Sequence, residues 1–534
     1  YVAVQPHKLM ASDGDDLEYH TLAGGEPAAE PPPPPSAAPW KLLLLLPALA
    51  ALLFFGRQPS GASAVGGVRG AVNAAVEAAG DAPRWYGVSL GGWLLMEINP
   101  AVRKPGSPLD LRPHWMFDQI AAPSELDFVL QLREEHGDEF AIATMKNHWS
   151  RYISDEMLDA AQALGVDTAR LPVGYWIMDA PVGGSGSPLE YGISPEGFIT
   201  GGLNHLKEML VKLKKRGMRA LVDIHAMPCN SACVSDGLSC AGPIAFSREG
   251  TPMGVGTIGD LTRCDGGKYA TTRKPREGEE TWGDVGVNTV AALAKWISEL
   301  PEEAACVSAF QLANEPALGP PGIYEESVNA WYLRAVPAAR KYLPTLPLVL
   351  SFIPPTKAVT DFIREELSGQ GEIIADHHYY LNWVIFGDPA PPPVPWSELH
   401  SLACNAVEKG GMIVYTSAEQ KFIVGEWSLA VNLDMKEDLS DPQVRADLTQ
   451  LYREQLAVFG TTDHMSGAFF WTLRMGSGWD PRPSAKFPHG QQLAGTSAWK
   501  SFPEYPFKVW SLLEMAEHGI ATPLNLSYAS ACEK

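Results

Sequence analysis

Two adjacent polar residues, Asn314 and Glu315, close the apolar run of "VSAFQLANEP", and a second glutamate, Glu426, closes a similar run in "KFIVGEWS". Paired carboxylates of this kind suit cleavage of a glycosidic bond. One gives a proton to the leaving oxygen while the other attacks the anomeric carbon, the two lying about 5 to 5.5 Å apart when configuration is retained. On this reading Glu315 is the acid/base, its proton held by partial desolvation and by the charge of Glu426. Asn314 offers an amide to the sugar 2-hydroxyl, a bond that strengthens in the transition state. Glu426, as nucleophile, has to stay ionised, and Arg170 and Tyr380 are the donors expected to keep it so.

Other polar residues fall at the ends of apolar runs in the same way. The run "TARLPVGY" from 168 is read as ending near Arg170, "RALVDIHA" from 219 brings His225, "EIIADHHYY" from 372 brings His378 and Tyr380, and "MSGAFFWTL" from 465 brings Trp471. His225 and His378 are expected to bind sugar hydroxyls or to orient the carboxylates. Trp471 is expected to stack on the apolar face of the reacting sugar, although a buried core tryptophan fits the same pattern. Alternation along a strand turns His377 away from His378, which makes His377 the structural member of the pair. A metal site at Asp376 to His378 is the weaker alternative, because no strong third ligand is apparent; neither a metal nor a cofactor is expected.

These residues need elements that bring them together. Eight apolar runs, starting at 85, 168, 219, 307, 346, 372, 421 and 465, alternate with helical stretches such as "NHLKEMLVKLKKRG" from 204, where Leu206, Met209, Leu210 and Leu213 share a face and Gly217 marks the stop. Eight strand and helix units over about 400 residues predict a (β/α)8 barrel, with the active site at the C-terminal ends of the strands. An open sheet binding a dinucleotide is the alternative raised by "GVGTIG" at Gly254, Gly256 and Gly259. That match lacks the strand before it and the helix after it, so it carries no weight.

Composition bounds the rest. The chain has 534 residues, 46% hydrophobic, with 41 Lys and Arg against 62 Asp and Glu, a formal charge of -21 that opposes nucleic-acid binding. Residues 1–40 are Pro- and Ala-rich and read as a disordered tail. Within residues 41–57, Leu42 to Gly56 carry no charge and are flanked by Lys41 and Arg57, about 22 Å long as a helix. A signal anchor is the preferred reading, which makes the chain a single-pass type II membrane protein; a cleaved signal peptide, which makes it secreted, is the rival. A linker over 58–83 then leads to a hydrolase domain over 84–520, with a long insertion over 227–284 and a C-terminal tail over 521–534. Seven cysteines and the sequon at Asn525 fit passage through the secretory route. Cys229, Cys233, Cys240 and Cys264 suggest disulfides, with zinc as the weaker alternative; Cys306, Cys404 and Cys532 are not assigned by spacing, and the odd total leaves at least one thiol free or paired between chains.

The motifs "GVSLGGWLL", "RLPVGYW", "LANEP", "HHYY", "GEWS" and "FWTL" resemble, in order and spacing, glycoside hydrolase family 5, most closely its exo-β-1,3-glucanase branch. The resemblance covers roughly residues 84–510. It implies a retaining double displacement on β-glucan polysaccharide or oligosaccharide, with Glu315 as acid/base and Glu426 as nucleophile. It further implies that Arg170, His225, Asn314, His378, Tyr380 and Trp471 line the subsite for a terminal glucose. Family members of this branch carry a Gly- and Asn-containing loop after the third-strand histidine, where this chain has "DIHAMPCNSACVSDGLSC". That departure bears on chain-end against internal cleavage and on linkage. The expected enzyme is thus a glucan exo-1,3-β-glucosidase, extracellular or at the cell surface and monomeric. An endo-β-1,4-glucanase or mannanase, a non-catalytic carbohydrate-binding barrel, and transfer to sugar acceptors are the alternatives.

Overall fold

Each of the eight apolar runs is a β-strand. In the computed structural model they are β1 Trp85–Ser89, β2 Thr168–Gly174, β3 Arg219–Ala226, β4 Val307–Gln311, β5 Leu348–Ser351, β6 Ile373–His378, β7 Phe422–Trp427 and β8 Met465–Phe470. All neighbours pair in parallel, and β1 pairs with both β2 and β8, which closes the barrel. The described residues are 84–96, 125–227, 282–316, 324–352, 356–381, 394–431, 438–475, 479–480, 491–492, 508–524 and 531–532. The expected tail, hydrophobic segment and linker over 1–83, most of the 227–284 insertion with its four cysteines and "GVGTIG", and the sequon at Asn525 lie outside them. Among the described residues no helix is long and apolar enough to cross a membrane.

Parallel strands buried on both faces should read as continuous apolar runs, and β2 is buried along its whole length. One strand face packs on the helices. In the helix Gly202–Lys215 the residues Leu203, Leu206, Met209, Leu210 and Leu213 are buried, a stripe of 3- and 4-residue spacing. That helix ends where expected, with Gly217 at φ 66°, a conformation glycine adopts without steric cost. The helix Pro442–Thr461 begins with proline at its first turn, and Asp441 caps it by accepting from Gln443 N at 2.7 Å.

The other strand face points into the barrel and forms a stack. At its base Leu221, Ala309, Val349, Ile374, Ile423 and Phe469, one from each of β3 to β8, make a separate apolar cluster with Trp85 against it. Two residues further along β3 to β6 the same face carries Asp223, Gln311, Ser351 and Asp376, all with no exposure. Two further again come His225 and His378. The polar residues expected at the strand ends therefore stand on a plate of buried polar groups, which in turn stands on an apolar floor.

Outside the barrel, Cys404 at the end of the helix Trp396–Cys404 is disulfide-bonded to Cys532, so part of the expected C-terminal tail is fastened to the helical shell. Cys306, half-buried, is the free thiol among the described residues. The disulfide closes a loop with a sequence separation of 128, for which the chain-entropy account gives about 5 kcal/mol, above the ~2–4 kcal/mol typically measured. Replacing Cys404 and Cys532 together by serine is expected to lower the thermal midpoint, measured by differential scanning calorimetry, and reductant should lower that of the native chain by at least as much.

Candidate active site

The site is organised around Arg170. Sequence reading put this residue near the end of its run; it is instead the third residue of β2, inside the barrel and with no exposure. The reason is alternation, which turns Arg170 onto the inner face at the height of the polar plate. Its guanidinium donates through Nε to Gln311 Oε1 at 3.1 Å, through Nη1 to Glu426 Oε1 at 2.7 Å, and through Nη2 to Asn314 Oδ1 at 2.6 Å. Nη2 also lies 3.1 Å from Asp223 Oδ2. Burial works against this charge, but Asp223, Glu426 and Asp376 outweigh it and hold the group firmly protonated.

Glu426 is the fifth of six residues in β7, and slips in the β6 and β8 pairing around it turn its side chain inward beside His378. Its Oε2 accepts from Tyr380 at 2.7 Å, so both donors expected from sequence are in contact with it, one on each oxygen. The preceding residue has to be glycine: a Cβ on Gly425 would lie 2.1 Å from Asp376 Oδ1, which accepts from Gly425 N at 2.8 Å.

Asn314 and Glu315 lie just beyond β4. Asn314 Nδ2 is 3.2 Å from His225 Nε2, and His225 Nδ1 is 2.7 Å from Asp223 Oδ2. Glu315 has φ 42°, a region that residues with a Cβ rarely enter, and its N–H donates to Ser351 Oγ at 3.3 Å. The Glu315 carboxylate contacts His378 Nδ1, which is also 3.3 Å from Glu426 Oε2. On the far side of the ring, His378 Nε2 lies 3.1 Å from Asp376 Oδ2. Burial alone would strip the proton from His378, yet Glu426, Asp376 and Glu315 hold its pKa well above the ordinary histidine value. Burial likewise opposes ionisation of Asp376, but His378 and Arg170 keep its carboxyl below the usual range. His377 behaves as alternation suggests: it faces outward toward Tyr415, and burial together with the neighbouring His378 charge draws it down to about 4.

Trp471 follows β8 and is buried, its ring stacked on His225 with centroids 5.3 Å apart and planes 8° from parallel. Arg170 lies 5.8 Å from the same ring. All eight residues singled out from sequence are thus in one cluster. Asp223 and Gln311, which complete it, were missed, and Asp376 was weighed only as a metal ligand. The available signal was a polar side chain inside an otherwise apolar strand, since such a group is buried only if it is paired.

Glu315, His378 and Glu426 also present donor atoms within 4.8 Å of one another, close enough for a metal ion. The surroundings do not suit one. Arg170 and Tyr380 already donate to both oxygens of Glu426, and a guanidinium beside a carboxylate competes with any cation. The arrangement fits two carboxylates bridged by a protonated imidazole.

Comparison with known proteins agrees in kind. The family described as Cellulase (glycosyl hydrolase family 5) matches residues 133–438, more than half of the chain. A probable glucan 1,3-beta-glucosidase A of Aspergillus clavatus is 23% identical over 351 residues, covering 65% of this chain and 65% of that protein, so the chain spans just under two thirds of that relative. One of Neosartorya fischeri is 23% identical over 434 residues, covering 74% of this chain and 84% of that protein. Among solved structures, the rutinosidase of Aspergillus niger aligns over 82% of this chain and 98% of that one, with TM-score 0.50 and 16% identity, a likeness of fold.

Removing the guanidinium should expose the cost of the carboxylates around it. Arg170→Met is expected to lose about 3–5 kcal/mol in urea unfolding at pH 7, because Asp223 and Glu426 are left buried without their cation. In the native chain the Asp376 contribution persists above its ordinary value of 3.8 and is lost only as pH falls through its depressed one.

Proposed function

The chain belongs to glycosyl hydrolase family 5, and on that premise we propose that it is a retaining glycoside hydrolase releasing glucose from the non-reducing ends of β-1,3-glucan. The observation that carries the reading is the approach of Glu315 and Glu426, whose donor atoms lie within 4.8 Å of one another across His378. An approach of that order is in keeping with direct attack by one carboxylate, as in retaining enzymes, rather than with the wider spacing an inverting enzyme uses.

In this mechanism the Glu426 carboxylate attacks the anomeric carbon as the glycosidic bond breaks, and a proton passes through Glu315 to the leaving oxygen. Water then gives its proton to Glu315 and attacks the same carbon, releasing glucose and restoring the Glu426 carboxylate. Arg170 and Tyr380, each donating to one oxygen of Glu426, orient it before the first step and stabilise it as leaving group in the second. Asn314 binds the 2-hydroxyl, His225 holds Asn314 in place, and Trp471 offers its indole to the sugar ring.

Linkage and chain-end preference rest on the relatives named above as probable glucan 1,3-beta-glucosidases. The Cys404–Cys532 disulfide supports an extracellular or cell-surface location. The same reading treats 84–520 as one monomeric hydrolase domain and 41–57 as the segment that directs export.

Laminarin is expected to yield glucose alone; a ladder of internal fragments would instead indicate endo cleavage. Glu426→Ala should lose about 10⁴-fold or more in kcat while still folding, with a lower melting temperature because Arg170 loses one of its buried anions, and a 2-deoxy-2-fluoroglucoside should label Glu426 in the intact protein, read by peptide mass spectrometry. Glu315→Ala should retain turnover of aryl glucosides with good leaving groups and be accelerated by azide, which needs no general base.

A further inference from the structure

We infer that Asp376 is a positioning residue that keeps a proton on Nε2 of His378, so that Nδ1 exchanges the catalytic proton with Glu315. The inference rests on the proposed roles of Glu315 and Glu426 and extends them to a residue that no substrate can touch, since Asp376 has no exposure.

Asp376 is fixed on three sides. Its Oδ1 accepts from Gly425 N at 2.8 Å, and its Oδ2 accepts from Gln311 Nε2 at 2.7 Å while facing His378 Nε2 at 3.1 Å. The space for the carboxylate is kept by the absence of a side chain at Gly425. An ionised carboxylate only accepts, so the imidazole nitrogen facing it carries the hydrogen. In the neutral ring the lone pair is then at Nδ1, the atom in contact with Glu315.

One proton consequently serves both groups. With the proton on His378 the ring donates from Nδ1 to the Glu315 carboxylate; with the proton on Glu315 the same nitrogen accepts. When the glycosidic bond breaks, this proton leaves through Glu315 on the departing oxygen, and the pair becomes carboxylate and neutral imidazole with Nε2–H retained. Water restores the proton to Glu315 in the second step, so no further reactant is needed. The charges that set the balance are Glu426 across the barrel mouth, Arg170 and Tyr380 bound to it, and Asp376 itself; His377, on the outer face, stays neutral. The raised pKa of His378 accords with a ring that carries the shared proton at rest.

Asp376→Asn tests this. The neutral amide no longer holds the Nε2 proton by charge, and it meets a donor whichever way it turns, Gly425 N on one side or Gln311 Nε2 on the other. Removing a negative charge also favours the deprotonated pair, so the alkaline limb of kcat/KM should move to lower pH by about one unit. On laminarin kcat should fall about 10²-fold. With 2,4-dinitrophenyl β-glucoside, whose leaving group needs no proton, formation of the glycosyl-enzyme should fall less than about 10-fold. Equal losses on both substrates with unmoved limbs would reduce Asp376 to a structural role and overturn the inference. Should the variant not fold, ¹⁵N-histidine NMR of the native chain decides, with the His378 signal identified by its loss in His378→Gln. Above the alkaline limb, a proton on Nε2 supports the inference and a proton on Nδ1 overturns it. Failure of the native chain to hydrolyse any β-glucoside would remove the functional reading above and leave the tautomer measurement to stand alone.

Discussion

A guanidinium sealed inside a barrel has to be answered by negative charge, and most of the site follows from that requirement. Transfer of an ion from water to a protein interior is unfavourable by several kcal/mol even after relaxation. Arg170 is tolerated because its fork of donors meets Gln311, Asn314, Asp223 and Glu426, which come from three other strands and one strand-end loop. Each acceptor is thereby positioned by the same planar group. The geometry of this planar, multi-donor cation, rather than loop conformation, sets where the Glu426 carboxylate of β7 stands relative to the Asn314 amide after β4.

The barrel gives that cation its height. Period-2 alternation places apolar, then buried polar, then reactive residues on one inner face of β3 and β6: Leu221, Asp223 and His225 on the former, Ile374, Asp376 and His378 on the latter. On β7 the sequence Ile423, Gly425 would put a glycine where a reactive group is needed, and the irregular pairing around Glu426 brings the next side chain inward instead. The glycine is then filled from the neighbouring strand by the Asp376 carboxylate. Floor, plate and rim are therefore one packing problem, in which the polar layer is compatible with burial because each of its charges has a partner.

How much of this was legible in sequence depends on the kind of constraint. The eight strands were readable because continuous apolar runs between amphipathic helices leave few other architectures. Glu315 and Glu426 were readable because a polar residue ending such a run stands at the barrel mouth. The depth of Arg170 was not, since a basic residue early in a run is as compatible with a strand start as with an interior cation. Asp223 and Gln311 were visible as interruptions in "RALVDIHA" and "VSAFQLANEP", but their partners are on other strands, and pairing across strands is not written in local spacing. The Cys404–Cys532 bond and the positive φ of Glu315 were hidden for the same reason, being set by tertiary neighbours.

Closure of the sheet has a bearing on how the chain is made. The edge formed by β1 meets β8, and just beyond it Gly91 N donates to Thr472 Oγ1 across 381 residues. At roughly 5–20 residues per second, a ribosome needs about 20 to 80 seconds to bring the second partner out after the first. Throughout that interval the opening strand has an unsatisfied hydrogen-bonding flank and nothing native to cover it. The ring can therefore seal only after the final strand has emerged.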